Sequence, residues 1–406
     1  MIISRTKLRI GLGAVLLAAA TAAPAMTGEA FQACLARLQD TATAQGVSPA
    51  VAERALRDVE FVERVIELDR AQPEFTTTFD DYLGRRVTQE RVERGRELLA
   101  EHRDLLERVY REYGVPPRYL VAFWGMETNF GDYFGRMPIL DSLATLACDD
   151  RRSGYFTRQV VAALGIIDEG SIEAERMKGS WAGALGHMQF MPTVFARYAV
   201  DFDGDGRRDP WNSIADAMGS AGNFLSGVGW EQGWRWGREV TLPEGFDYAL
   251  AGYDNARAVA EWKRLGVRTA YDRPLAASEH EAALLVPSGH EGPKFLVYQN
   301  FDVIMRWNQS EFYALAVGHL ADRLTGVTGL VNPPPEDAPR LRRDQVMALQ
   351  ERLNERGFDA GPVDGIPGPQ TRAAIRRFQA ANGMIADGFA SRELLDALSL
   401  QVAEGP

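Results

Sequence analysis

Residues 114–135 read GVPPRYLVAFWGMETNFGDYFG, and they decide the fold. Gly114 breaks the preceding segment, and Pro116 and Pro117 stand where the first turn of a helix tolerates proline. Leu120, Val121, Ala122, Phe123, Trp124 and Met126 then cover every side of the helix that follows. A helix apolar all round belongs inside a core, so this stretch predicts a mainly helical domain built around it. One acid, Glu127, ends the run. Desolvation and the negative end of the helix dipole both disfavour its ionised form, which predicts a carboxyl able to hold a proton and act as a general acid. A buried glutamate paired to a base, or capping the next turn, is the alternative.

Outward from this helix, the pattern is mostly helical. QERVERGRELLAEHRDLLERVYREYG, residues 89–114, places Val92, Leu98, Leu99, Leu105, Leu106 and Val109 at helical spacing with charges between them. Strand-like alternation is sparse, the best runs being EVTLPEG (239–245) and FLVYQNF (295–301). At 331–341 the text VNPPPEDAPRL breaks all periodicity and reads as a stiff linker. The fold class expected is mainly α with minor β over 26–330, followed by a small three-helix domain over 342–400.

Composition narrows the function. The first 25 residues carry Arg5, Lys7 and Arg9, no acid, a short apolar run and a small-x-small site at Ala23-Pro24-Ala25. That is a secretory signal peptide cleaved after Ala25, too short to span a bilayer. The chain has a net charge of −11, and losing three basic residues takes it to −14. So acidic a protein is a poor ligand for nucleic acid or anionic membrane. An oxidising compartment permits a disulfide between its two cysteines, Cys34 and Cys148; two separate buried thiols are the alternative.

A second glycine-rich stretch, GSWAGALGHMQFMPT (179–193), brings Gly183, Ala184 and Gly186 where backbone must approach backbone or ligand. With it the resemblance becomes specific. GMETNFG, SWAGALGHMQFMPT, DFDGDG and RWNQSEFYALAVGHLAD are similar, in this order, to the successive motifs of the MltB family of lytic murein transglycosylases. The resemblance implies a lysozyme-like, exported, periplasmic, monomeric enzyme of a Gram-negative cell wall, acting on the glycan strands of peptidoglycan, with no catalytic cofactor. Its single acid falls on Glu127. Ser180 and Gln189 would bind sugar groups, Asn308 and Tyr313 would orient the acid or an N-acetyl group, and Tyr82, Tyr155 and Phe224 would be cleft aromatics. The family often has Tyr where Phe224 stands, and some members carry Tyr at Trp307. Arg151 and Arg152 would meet peptide-stem carboxylates or pair with Asp149 and Asp150.

The run DFDGDGRRDPWNSIAD, residues 201–216, carries separate chemistry. Asp201, Asp203 and Asp205 with Gly206 and the carbonyl of Arg207 follow the spacing of a calcium loop, and three close carboxylates without a cation repel one another. Position 12 is Asn212, so the resemblance puts the closing acid at Asp216, in a longer EF-hand-like loop holding a structural Ca2+. His187 reads as a packing or cleft-lining residue. The segment after the linker resembles the small peptidoglycan-binding domain of cell-wall hydrolases through GPVDGIPGPQT, Ala374, Phe378, Gln379 and NGMIADG. A muramidase using water, a silent wall-binding protein and a calcium-dependent envelope protein are the competing classes; the first needs a paired acid that the motifs do not supply.

Overall fold

The computed structural model describes residues 26–71, 77–335 and 338–400. The expected leader segment and the cleavage expected after Ala25 lie outside them, as do two residues of the proline-rich linker.

Helices α1 (Gly28–Ala44), α2 (Pro49–Leu56), α3 (Glu63–Ala71), α4 (Phe79–Arg86), α5 (Gln89–Glu101) and α6 (Arg103–Tyr113) open the chain. Thr27, Thr78 and Thr88 accept backbone N–H groups at the starts of α1, α4 and α5, which is why each begins where it does. Then comes α7 (Pro117–Thr128), with every residue from Tyr119 to Met126 buried. It packs against α5, α6, α11 (Ile214–Gly227) and α14 (Glu311–Leu324). Between them run a two-stranded ribbon of β1 (Met137–Pro138) and β2 (Lys178–Gly179), and helices α8 (Ile139–Cys148), α9 (Ser153–Asp168) and α10 (Pro192–Tyr198). A disulfide joins Cys34 of α1 to Cys148 at the end of α8.

Between α11 and α13 (Gln299–Trp307) the chain builds an antiparallel sheet of β3 (Gly237–Thr241), β4 (Gly252–Ala258), β5 (Arg268–Thr269), β6 (Glu281–Leu285) and β7 (Lys294–Val297), with α12 (Val259–Arg264) packed on it. Its order is β4-β6-β7-β3-β5. The two runs singled out by alternation become neighbours, Glu239 lying opposite Phe295. Strands β4 and β6 escaped that test. The first pairs through an irregular register between Gly252 and Arg257, and EAALL in the second consists of helix formers. Trp262, Leu284 and Leu296 form a small core of their own under this sheet.

The C-terminal domain comprises α15 (Arg343–Glu355), α16 (Pro369–Ala381) and α17 (Arg392–Ala397) around Leu349, Leu353, Phe378 and Leu394. Gln350, 1 % exposed, ties its turns together by donating to Asp364, 2.9 Å, and Thr371, 3.1 Å. This domain touches the larger one at Asp387–His290, 2.7 Å, Arg372–Glu311, 3.0 Å, and, through the linker, Arg340–Asp81, 2.8 Å. No helix of the described residues is long and apolar enough to cross a membrane.

Two histidines belong to the main fold's interior. His187 and His319 are each 8 % exposed. The indole N–H of Trp124 donates to His187 Nδ1 at 2.9 Å, a bond that only the unprotonated nitrogen accepts. Desolvation holds both rings at about 4, below the ordinary 6.5, with the Arg323 charge adding to the effect at His319. Between pH 6.5 and 4 the unfolded chain therefore binds more protons than the folded one. Stability is level above that window and falls through it, by roughly 3 kcal/mol per histidine. Urea unfolding between pH 7.5 and 4.5 should show a shallower acid loss in His319→Leu than in the parent; an identical slope would contradict the neutral assignment.

Candidate active site

Glu127 is the half-buried break in an otherwise buried helix, one residue before α7 ends. The next three residues, Asn129, Phe130 and Gly131 after Thr128, have φ of 50°, 64° and 90°. Consecutive left-handed residues reverse the chain sharply, at a cost of about 1–3 kcal/mol for a residue such as phenylalanine. Packing offsets that cost: the Phe130 ring meets Trp124 edge-on at 5.9 Å. Thr128 Oγ1 donates to the His187 carbonyl, 2.9 Å, and accepts the Gly131 N–H, 3.0 Å. A Cβ on Gly131 would lie 2.6 Å from His187 Cε1, so only glycine lets this turn close on the imidazole.

The glycine-rich loop forms the facing wall. Ser180 Oγ accepts the Ala184 N–H at 2.9 Å, and the Ser180 N–H returns to the Ala184 carbonyl at 2.9 Å. Gln189 sits at φ 47° and donates through Nε2 to the carbonyls of Phe134, 3.2 Å, and Gly186, 3.1 Å. Both side chains therefore brace the loop. The Ser180 hydroxyl hydrogen and the Gln189 carbonyl are the groups they have left for a ligand. A Cβ at Gly135 would fall 2.0 Å from the Gly179 carbonyl, which shows how closely the two loops run.

The third wall comes from α13 and α14. The Tyr313 hydroxyl donates to Glu127 Oε1. Tyr313 is 4 % exposed, and burial, then the charge and hydrogen bond of Glu127, hold its hydroxyl well above the ordinary 10, so it stays a neutral donor. Its placement is set by the turn before it. Asn308 Oδ1 accepts the Ser310 N–H at 3.0 Å, and Ser310 Oγ accepts the Tyr313 N–H at 3.3 Å. Tyr82 packs on Phe312 at 6.0 Å with Arg86 beside its ring. Asp132, the next acid after Glu127, accepts from Asn129 Nδ2 at 2.7 Å, while the Arg91 guanidinium holds the amide's other end.

Several expectations change in detail. Phe224 is 6 % exposed and meets Trp307 edge-on at 5.1 Å, so it backs that ring instead of lining an open cleft. Half-buried Trp307 stacks on Phe123 at 4.2 Å, next to Asn308 in the chain. Tyr155 is 40 % exposed on α9, with Arg158 by its ring. Arg151 and Arg152 pair with neither Asp149 nor Asp150 through their guanidinium groups. Both close on Asp69, which is 3 % exposed, with Arg151 Nε at 2.8 Å. A buried carboxylate left unpaired is costly, and the two guanidinium groups compensate it; ELDRAQ, a charged helix face, gave no hint of this.

In the acidic loop, ligand oxygens of Asp201, Asp203 and Asp205 lie within 4.8 Å of one another. Asp216 is fully buried and does not join them. Its oxygens accept the N–H groups of Phe202, 2.7 Å, Asp203, 3.3 Å, and Asp209, 2.8 Å, so it holds the loop's backbone in shape. Burial raises its carboxyl against those three bonds.

The sequence matches the transglycosylase SLT domain over residues 30–322 and a peptidoglycan-binding domain over 342–398. Membrane-bound lytic murein transglycosylase B of Escherichia coli K12 is 32 % identical over 236 residues, 58 % of this chain and 64 % of that protein. The match thus spans just under two thirds of this relative. SltB3 of Pseudomonas aeruginosa, solved with NAG-anhNAM-pentapeptide, superposes with a TM-score of 0.88 at 43 % identity, covering 92 % of this chain and all of that one. Escherichia coli Slt35, solved with calcium, gives a TM-score of 0.63 at 28 % identity over 72 % of this chain and 92 % of that one. With the single acid of α7 set between the glycine-rich loop and α14, and a family match over most of its length, the chain belongs to the SLT transglycosylases, in the MltB branch.

Proposed function

We propose that this protein is a lytic murein transglycosylase that cuts the MurNAc-β-1,4-GlcNAc bond of peptidoglycan without water. The observation that carries the reading is a lone motif carboxyl, Glu127, held by the neutral Tyr313 hydroxyl while Asp132 is tied to Asn129. Most glycoside hydrolases pair the acid with a second carboxylate as nucleophile or base. Here Glu127 gives its proton to the GlcNAc O4 as the C1–O4 bond breaks, and the sugar's N-acetyl group supports the anomeric carbon. Glu127, now ionised, takes the proton from the MurNAc 6-hydroxyl as O6 bonds to C1. The product is a 1,6-anhydroMurNAc end. Tyr313 steadies the carboxylate between the two proton transfers, Asn308 fixes the turn that presents it, and Ser180 and Gln189 contact the sugars.

The homologous SltB3 complex with an anhydro-sugar fragment supports this chemistry, and the C-terminal domain supports attachment to the wall. The leader segment suits export to the periplasm. Calcium suits the acidic loop, because oxygens within 4.8 Å of one another can all lie at the roughly 2.3–2.6 Å typical of that ion. Asp201, Asp203 and Asp205 would hold it and the Arg207 carbonyl would add to them. Bound there, the ion would clamp the loop and leave the proton transfers to Glu127.

Mass spectrometry of muropeptides released from purified sacculi should find anhydro ends, one water lighter than reducing ends, and none with Glu127→Gln. Reducing ends would make the protein a muramidase. Tyr313→Phe removes one placed donor and should lower kcat by about 10²-fold with KM little changed. Calcium at about a hundred times its Kd should stabilise the fold by about 2.7 kcal/mol, raising Tm in calorimetry. Asp203→Asn should abolish that rise and leave kcat at 25 °C near the parent value.

A further inference from the structure

Tyr133 is 60 % exposed, in a loop whose other rings turn inward. Phe130 is 9 % exposed beneath Trp124, and Phe134 meets His187 edge-on at 4.7 Å. A lone exposed aromatic is ordinary on a protein surface. The support under this one is not. Its backbone N–H bonds to the Thr128 carbonyl at 3.2 Å, which pins it next to the residue that follows Glu127. On one side the loop is fixed by the left-handed run 129–131, and on the other by Gln189 holding the Phe134 carbonyl and Gly135 pressed on Gly179. The Tyr133 backbone therefore lies between the helix end carrying Glu127 and the wall carrying Ser180 and Gln189.

We propose that Tyr133 is a stacking platform for the pyranose ring at the subsite beside the scissile bond. The inference rests on the reading of this cleft as a glycan site. A sugar ring offers a face of C–H groups edged by hydroxyls, and an aromatic ring with a polar tip suits both. Because the loop is ordered before any ligand arrives, little conformational freedom is lost when the ring is covered. Tyr133 moves no proton. It sets the register of the strand relative to Glu127, and its contact is the same in ground and transition states.

The test uses Glu127→Gln protein, which cannot turn over, and a soluble peptide-free glycan of alternating GlcNAc and MurNAc, with binding read by titration calorimetry. Adding Tyr133→Ala should weaken binding roughly tenfold, the order expected for losing the apolar contact of one aromatic face. Tyr133→Phe should stay within about twofold of the parent and Tyr133→Leu should behave like the alanine variant, because the aromatic face is what matters. In the active enzyme, Tyr133→Ala should raise KM and leave kcat and Tm unchanged. Equal binding by the alanine variant, or a phenylalanine variant as weak as alanine, would overturn the platform alone. No binding by the Glu127→Gln parent would remove the glycan reading of the cleft and the platform with it.

Discussion

The bond from the Trp124 indole to His187, with Thr128 reaching the carbonyl of the same residue, is the constraint on which the site depends. It fastens the end of a core helix to a glycine-rich loop otherwise remote in sequence. Without it, three successive left-handed residues would lose the wall they close on, and each non-glycine member is disfavoured alone. With it, Glu127 emerges from the core at one fixed angle. The acid's position is thus set largely by packing among apolar and uncharged groups, which salt perturbs little.

Glu127 was legible in the sequence because a carboxylate that closes an apolar helix loses its hydration, and only a proton, a partner or a ligand offsets that loss. The glycine-rich wall was legible for a related reason: Gly183, Gly186 and Gln189 in close succession demand an unusual backbone. What stayed hidden were pairings over long separations. Asp69 collects Arg151 and Arg152 from about eighty residues away, and nothing in either segment names the other. Asp216 had the right type and place for a calcium ligand, yet a carboxylate can satisfy backbone N–H groups equally well, and sequence does not say which it will do. Phe224 shows the same limit for aromatics. A ring that lines a cleft and a ring that backs one differ only in which neighbour covers it.

The sheet illustrates a different limit. Alternation pointed to β3, where buried Val240 stands between half-buried Glu239 and Thr241, and to β7, although three of the four residues of β7 are buried. Strand β6 is buried along four of its five residues, so its pattern carries no period-two signal. Fold class was recoverable from the helices alone, whereas the five-stranded insertion needed the three-dimensional pairing.

The contacts of the C-terminal domain change what its linker does. The partners on the larger domain, His290 and Glu311 for the domain itself and Asp81 for Arg340 of the linker, are far apart in the chain and belong to different elements. Contacts at three separate points fix an orientation as well as a distance, in the way three legs fix a stool. A domain held so is not a pendulum whose reach follows the square root of linker length. Any surface on this domain therefore stands in a set direction relative to Glu127.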